Sequence, residues 1–444
     1  NAARRGPGHL WTLLHHTDAP LGAYYYGLHL WLRLGALLGI SANATWVRLP
    51  SALAVIAAVG LTTALACRLL GSVAGLVSGV VLALHPLVEF YAQDARPYAI
   101  AMLLAVATTR VLLADLQTPR VLTLAGYTLL AVAALYDQFW TVFVIAAHGI
   151  LVLMRDRLRR RYAIAAAVIA VAVIPLVAFS QRESGEIWWI PAPSPSTVLS
   201  FVTRVCGGIG GIAMMVVLAV TLVVQRGRLT FPWRDRDGAL TVTVWLLVPP
   251  LGLILFSFWQ PMMVPRYALV VVPAWAIVVV ALCRRLPRRI ALGIGALLVA
   301  VSLIGTVTQS VRPYKYEDFR AIAAEIRDTA RPGDGIVYVP TSYRVGMEPY
   351  LSGGPADILL ADPASVHNGP SIGGSEVDIG QVDGKIDGCG RIYLIGPILD
   401  ASQPSTPRLD VVKERTLRTG FRPMWRRTYG AVSVTLLTRR QPAG

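Results

Sequence analysis

From residue 49 to residue 311 the chain is a succession of apolar blocks, each about 16 to 22 residues long, separated by short polar stretches. That is the length a helix needs to cross roughly 30 Å of hydrocarbon. A helix is the form such a block takes, because the bilayer offers the backbone no other hydrogen-bond partner. The blocks predict spans near 49–68, 73–91, 97–115, 121–136, 139–154, 162–180, 205–225, 239–258, 267–283 and 290–311. After residue 312 the period changes. "YEDFRAIAAEIRDTARPGDGIVYVP" reads as an amphipathic helix, a Pro-Gly-Asp turn and a β-branched strand. "RIYLIGPI" (391–398), "VVKERTLRTGF" (411–421) and "VSVTLLTRR" (432–440) predict a strand, a helix and a strand, and the Gly-rich stretch 365–390 reads as loop.

The fold class expected is therefore an α-helical polytopic membrane protein with a small C-terminal α/β domain. Its divisions are 1–48, an external loop with an interfacial helix; 49–311, a transmembrane domain of about ten helices; and 312–444, the α/β domain. Residues 22–40, "GAYYYGLHLWLRLGALLGI", are nearly long enough to span, but a span there inverts everything after it. We read them as a helix on the outer leaflet, where Tyr24, Tyr25, Tyr26, His29, Trp31 and Arg33 suit the headgroup boundary. The alternative is a true span with one later pair re-entrant.

Composition agrees with a membrane protein: mean hydropathy is +0.57 and charged residues are 15%, against about 25% in soluble domains. The formal charge of +16 raises the question of nucleic acid, and the placement of the arginines answers it. "RDRLRRR" (155–161) holds five, "RGRLTFPWRDRD" (226–237) four and "RRLPRR" (284–289) four, all in short loops between spans. That is the positive-inside pattern of cytoplasmic loops, so no nucleic-acid partner is expected. It leaves residues 1–48, 92–97, 136–138, 181–204, 260–266 and the tail from Arg312 on the extracytoplasmic face of a plasma (inner) membrane.

Cys67, Cys206 and Cys283 lie in or beside spans and Cys389 stands alone in the tail, so neither disulfides nor CxxC-type metal spacing is indicated. The tail carries no GxGxxG or Walker signature. "NAARRGPGHLWTLLHH" has no apolar h-region and does not open on Met, so the expectation is that further chain precedes it.

Four motifs could carry chemistry. "HHTDAP" (15–20) sets His15 and His16 beside Asp18, a group able to deprotonate a hydroxyl at a membrane surface; alternatively Asp18 caps the helix after it. "EFYAQDARPYA" (89–99) brings Glu89, Asp94 and Arg96 together at a junction of spans, with Pro97 opening a helix. "PRYALVVVP" (265–273) places Arg266 where a guanidinium can grip a lipid phosphate, or merely snorkel to headgroups, with the Tyr267 hydroxyl beside it. "QRESGEIWWIPAP" (181–193) offers two acids and the Trp188–Trp189 pair, for sugar stacking or interfacial anchoring. His29, His85 and His148 are read as structural, and Asp137 in the turn "YDQ" is open between a structural and a functional role.

Taken in order, "HHTDAPLGAYYYGLHLWLRL", "VRLPSALAVIAAVGL", "AQDARPYAIA" and "RYALVVVPAWAIV" resemble the membrane glycosyltransferases of the GT-C superfamily over most of residues 9–350. The branch indicated is the actinobacterial mannosyltransferase-like proteins, related to protein O-mannosyltransferases and lipid A aminoarabinose transferases. The resemblance implies transfer of a sugar, with mannose as the default, from a polyprenyl-phosphate donor to a lipid or glycan acceptor on the outer face, with inversion, in cell-envelope biogenesis. It also implies an Asp-Glu pair after a first span, and no such pair is present here, so that pair is expected upstream of Asn1, with Asp18 a second member of the site. On this reading Asp18, His15 and His16 serve the acceptor. Asp94, Arg96 and Glu89 serve sugar binding or site architecture, and Arg266 and Tyr267 the carrier. No metal site is assigned, although Asp18 and Asp94 could share Mg²⁺ or Mn²⁺. The alternative is a non-catalytic polyprenyl-phosphate binder or flippase-like transporter.

Overall fold

The computed structural model describes residues 2–16, 19–180, 190–208, 211–212, 215–216, 219–220, 233–311, 317–351, 353–369, 371–396, 408–430 and 432–440. Two compact units emerge: residues 19–308, and residues 1–18 together with 309–444.

The chain's helices, in order, are α1 (Pro7–Leu14), α2 (Gly22–Leu37), α3 (Ala44–Leu70), α4 (Ser72–Ala83), α5 (Pro86–Ala92), α6 (Tyr98–Gln117), α7 (Val121–Asp137), α8 (Val142–Leu153), α9 (Asp156–Ser180), α10 (Pro195–Val205), α11 (Arg236–Ser257), α12 (Val272–Cys283) and α13 (Arg288–Val311). Among the described residues, α3, α6, α9, α11 and the stretch Pro265–Cys283 are each long and apolar enough to cross a membrane. The pair α4 and α5 meets the same test as one span bent by 62°. α7 and Phe139–Leu153 are shorter apolar helices. Nine of the ten expected spans are thus helical, and the block 205–225 lies partly outside the described residues. The protein is a multi-pass, mainly helical membrane protein.

Small residues set the closest approach in the helical unit. Gly75 and Gly79 on α4 lie against Cys67 and Thr63 of α3 with no room for a Cβ, the way membrane helices gain contact without a hydrophobic driving force between them. Several buried polar groups are paired off. Asp115 of α6 is fully buried and accepts from Arg161 (2.7 Å), the Tyr162 hydroxyl (3.0 Å) and the Arg120 amide (3.1 Å), tying α6, α7 and α9 together. Arg161 belongs to the "RDRLRRR" cluster, so one arginine of that cluster also locks a helix junction. His148 is hydrogen-bonded to Thr109 (3.0 Å) and Tyr127 (3.4 Å), and His85 to the Val205 carbonyl (3.2 Å), as structural histidines are.

α2 has 16 residues, about 24 Å at the α-helical rise, shorter than the hydrocarbon thickness. Tyr24 and Tyr25 are packed inside the protein instead of facing headgroups, because α2 rests on α3 and α7. Trp31 stacks on Trp46 at 4.3 Å, and its indole N–H donates to the Trp46 carbonyl.

The second unit contains α14 (Phe319–Thr329), α15 (Tyr343–Met347), α16 (Ser365–Asn368), α17 (Ile379–Asp387) and α18 (Arg408–Gly420). With them are strands β1 (Gly335–Tyr338), β2 (Ala356–Asp357), β3 (Arg391–Ile395), β4 (Phe421–Tyr429) and β5 (Val432–Arg439). The sheet order is β2-β1-β3-β5-β4, parallel from β2 through β3 and antiparallel across β5 and β4. The expected helices and strands are present, and among the described residues α15, β2, α16, α17 and β4 are added. β4 is an edge strand rich in arginine with a register shift at Pro423/Trp425, features that protect an edge and that hide a strand from an alternation test. α17 lies in the stretch read as loop; its glycines mask the spacing of Val382 and Ile386, both buried.

A buried charge network braces this domain. Arg344 reaches Asp357, Glu376 (2.7 Å) and the Gly373 carbonyl. Lys413, fully buried, reaches Glu376 (2.5 Å), Asp410 (3.1 Å), the Tyr338 carbonyl (3.1 Å) and Thr341 (3.0 Å). Burial pushes the Asp410 carboxyl above its ordinary range, with Lys413 opposing. Arg5 donates to the carbonyls of Val366 (2.7 Å) and Ser371 (2.8 Å), which is how the first residues join a domain more than 360 positions away. Glu376 alone serves both buried cations, so Glu376→Gln should cost about 3–5 kcal/mol, lowering the unfolding midpoint of this domain by on the order of 10 °C in a thermal melt of the purified protein.

Candidate functional site

Within residues 19–308, polar groups gather where helices stop. α5 ends at Ala92 and α6 begins at Tyr98, with Pro97 as its N-cap. The intervening turn is held by Ser51 of α3, whose buried hydroxyl donates to the Asp94 carbonyl at 2.6 Å. Ser51 is the last residue of the "RLPS" segment, and this bond is what that serine does. The Arg96 amide donates to the same Asp94 carbonyl at 2.9 Å, tightening the turn. Asp94 is half-buried and Arg96 exposed at its end.

Opposite this turn, the 3₁₀ segment Pro265–Val271 packs on α6 and α11. It is pinned from behind by the fully buried Trp245, whose indole N–H donates to the Val270 carbonyl at 3.0 Å. Its half-buried Arg266 guanidinium stands 5.8 Å from the Tyr98 ring centroid and 5.7 Å from that of Tyr267. Tyrosine faces attract a guanidinium through the ring quadrupole, so the two rings help to hold the cation in place. Tyr98 packs on Tyr91 at 5.1 Å, and Trp140 lies 5.9 Å from Tyr267. Arg96 is within electrostatic reach of both Tyr98 and Tyr267. The buried Tyr24 phenol of α2 is within such reach of Asp94, Arg96, Tyr98 and Asp137.

The structure therefore brings Asp94, Arg96, Arg266 and Tyr267 into one neighbourhood. Glu89 lies on α5, half-buried, about a turn before the break. His15 and His16 end α1 in the other unit, where each ring hydrogen-bonds a carbonyl of its own helix, Trp11 at 3.3 Å and Thr12 at 2.9 Å. Asp18 lies outside the described residues, as do Trp188 and Trp189. Sequence reasoning passed over Tyr98, Trp140 and Ser51 as site residues. The signal for Tyr98 was its place directly after Pro97; for Ser51 and Trp140, whose partners are distant in sequence, there was none.

A second feature of the helical unit is an apolar cavity of about 890 Å³ between α4, α12 and α13, within the size range of ligand pockets. His85, Cys206 and Trp275 are among its lining, as are Arg234 and Arg284. The Arg284 guanidinium also donates to the Leu70 carbonyl at the end of α3, 2.6 Å. Among the described residues no group of three or more His, Cys, Asp or Glu is arranged to hold a metal ion.

No family model and no curated protein sequence matches the chain. Solved structures do match it in fold. ArnT from Cupriavidus metallidurans in the apo state superimposes with a TM-score of 0.53 at 14% identity, covering 97% of this chain and 93% of that one. ArnT from the same organism bound to undecaprenyl phosphate gives a TM-score of 0.52 at 14% identity, covering 100% of this chain and 89% of that one. The chain has the GT-C-like fold of these proteins, a helical membrane domain followed by a small α/β domain.

Ser51→Ala removes the donor to a buried carbonyl, a loss of about 1–3 kcal/mol. The expected result is a fall of a few degrees in the unfolding midpoint of the detergent-solubilised protein, with helical content by circular dichroism unchanged.

Proposed function

We propose that this protein is a membrane glycosyltransferase that takes a sugar from a polyprenyl-phosphate carrier and passes it, with inversion, to an acceptor hydroxyl at the extracytoplasmic face. The observation that carries the reading is the guanidinium of Arg266, held between two tyrosine rings beside Arg96, in a fold shared with a protein solved with undecaprenyl phosphate bound. A polyprenyl phosphate is a fair leaving group. The enzyme has to activate one hydroxyl, stabilise an oxocarbenium-like state and offset the charge that grows on the departing phosphate.

In this account the acceptor oxygen attacks the anomeric carbon as the bond to the phosphate oxygen breaks. The acceptor proton passes to a carboxylate, and the freed phosphate keeps the bonding pair. Arg266 meets that phosphate and Tyr267 adds a hydroxyl. Asp94 and Arg96 face the sugar, and Glu89 supports their turn. Asp18, assisted by His15 or His16, serves the acceptor side. Mannose is the sugar proposed, on the strength of the "AQDARPYA" and "RYALVVVP" segments. The basic loops support an orientation that puts the site and the α/β domain outside the cytoplasm.

A second reading rests on the apolar cavity with Arg234 and Arg284 in its lining, which suits a carrier binder or flippase-like transporter whose phosphate sits there. Transfer of radiolabelled sugar from polyprenyl-phosphate mannose by the full chain separates the two. The glycosyltransferase reading expects Asp18→Ala to lower transfer by about 10²–10⁴-fold as the loss of a general base does. It expects Arg266→Ala to lower transfer by about 10–100-fold, the worth of roughly 1.5–3 kcal/mol of charge-assisted hydrogen bonding. Near-normal transfer in both variants would sink the assignment.

A further inference from the structure

Among the described residues of the helical unit, the buried polar atoms with no hydrogen-bond partner include three that fall around the site. Asp137, the last residue of α7, is 7% exposed, and its Oδ2 has no hydrogen-bond partner. Thr141, in the turn that follows, is 1% exposed with an unpartnered Oγ1. Tyr24 on α2 is 5% exposed with an unpartnered phenol oxygen, within electrostatic reach of Asp137. The contrast is Asp115, which is fully buried yet surrounded by donors. A buried carboxylate oxygen without a donor is costly, and such groups in natural proteins call for an explanation beyond packing.

Position supplies one. The turn after Asp137 packs on the 3₁₀ segment that carries Arg266, and Trp140 within it lies beside Tyr267. On its other side α7 packs on α2 and on the short helix Ala19–Leu21. Asp137 thus stands between the arginine neighbourhood and the start of α2. The missing partner is a hydrogen-bonding group. A carboxyl oxygen accepts and, when protonated, donates, and the Tyr24 and Thr141 hydroxyls both donate and accept. An uncharged, hydroxyl-rich group satisfies all three.

We propose that Asp137, with Tyr24 and Thr141, forms the subsite for the sugar hydroxyls of the donor. The proposal rests on the donor reading above and extends it to residues with no place in that assignment. Phosphate falls to the arginines and sugar hydroxyls to the buried acid, so the two halves of the ligand are read by different groups.

Binding to the full chain in detergent, measured with undecaprenyl phosphate and with mannosyl, arabinosyl and glucosyl polyprenyl phosphates, tests this. The wild type is expected to bind at least one sugar-loaded carrier more tightly than the bare carrier. Asp137→Asn, which keeps the volume, should weaken that carrier tenfold or more and leave the bare carrier within twofold; Tyr24→Phe should show the same selectivity at threefold or more. Equal binding of the sugar-loaded carrier by wild type and both variants overturns the subsite, and so does a matched loss for loaded and bare carriers. A wild type that binds no carrier removes the donor reading itself, and this proposal with it.

Discussion

Backbone groups in an apolar bundle need partners, and a helix supplies them only while it continues. Every break opens a few amides and carbonyls that must be met by side chains. This constraint organises the helical unit. At the junction of α5 and α6 the Ser51 hydroxyl meets the Asp94 carbonyl, and before α12 the Trp245 indole meets the Val270 carbonyl. Because breaks are the only places where polar side chains are required, they are also where chemistry can be housed. The site follows from this: Asp94, Arg96, Asp137, Arg266 and Tyr267 all lie in or beside breaks.

The charge of the site is set by how its cation is held. Arg266 is flanked by the rings of Tyr98 and Tyr267, which help to orient the guanidinium. A carboxylate fixes a guanidinium by a different means, an ion pair. Asp115 and Arg161 illustrate that other solution, with charge spent on joining α6 to α9. An ion pair thus serves as structure at one junction, while at another an arginine is set against tyrosine rings.

The architecture was legible in the sequence where one period dominated. Spans expected at 97–115, 239–258 and 267–283 are helices with nearly those limits, since an apolar block in a membrane has one allowed form. The bend between α4 and α5 was not legible, because Leu84, His85 and Pro86 interrupt a block whose composition still passes as a single span. β4 was missed since its arginines face outward on an edge, and α17 since Gly380 and Gly384 dilute its apolar spacing. For the site, Asp94, Arg96, Arg266 and Tyr267 stood out as polar residues at span ends. Ser51, Trp140 and the orphaned Asp137 oxygen acquire meaning only from neighbours distant in the chain, which no local pattern carries.

The central claim is that the carrier phosphate is met by Arg266. Density for undecaprenyl phosphate in an experimental structure of the full chain, prepared with the lipid in excess, addresses it most directly. The account predicts phosphate density within hydrogen-bond distance of the Arg266 guanidinium, with the headgroup beside Asp94. Phosphate density at Arg234 and Arg284 in the apolar cavity, with none at Arg266, would contradict it.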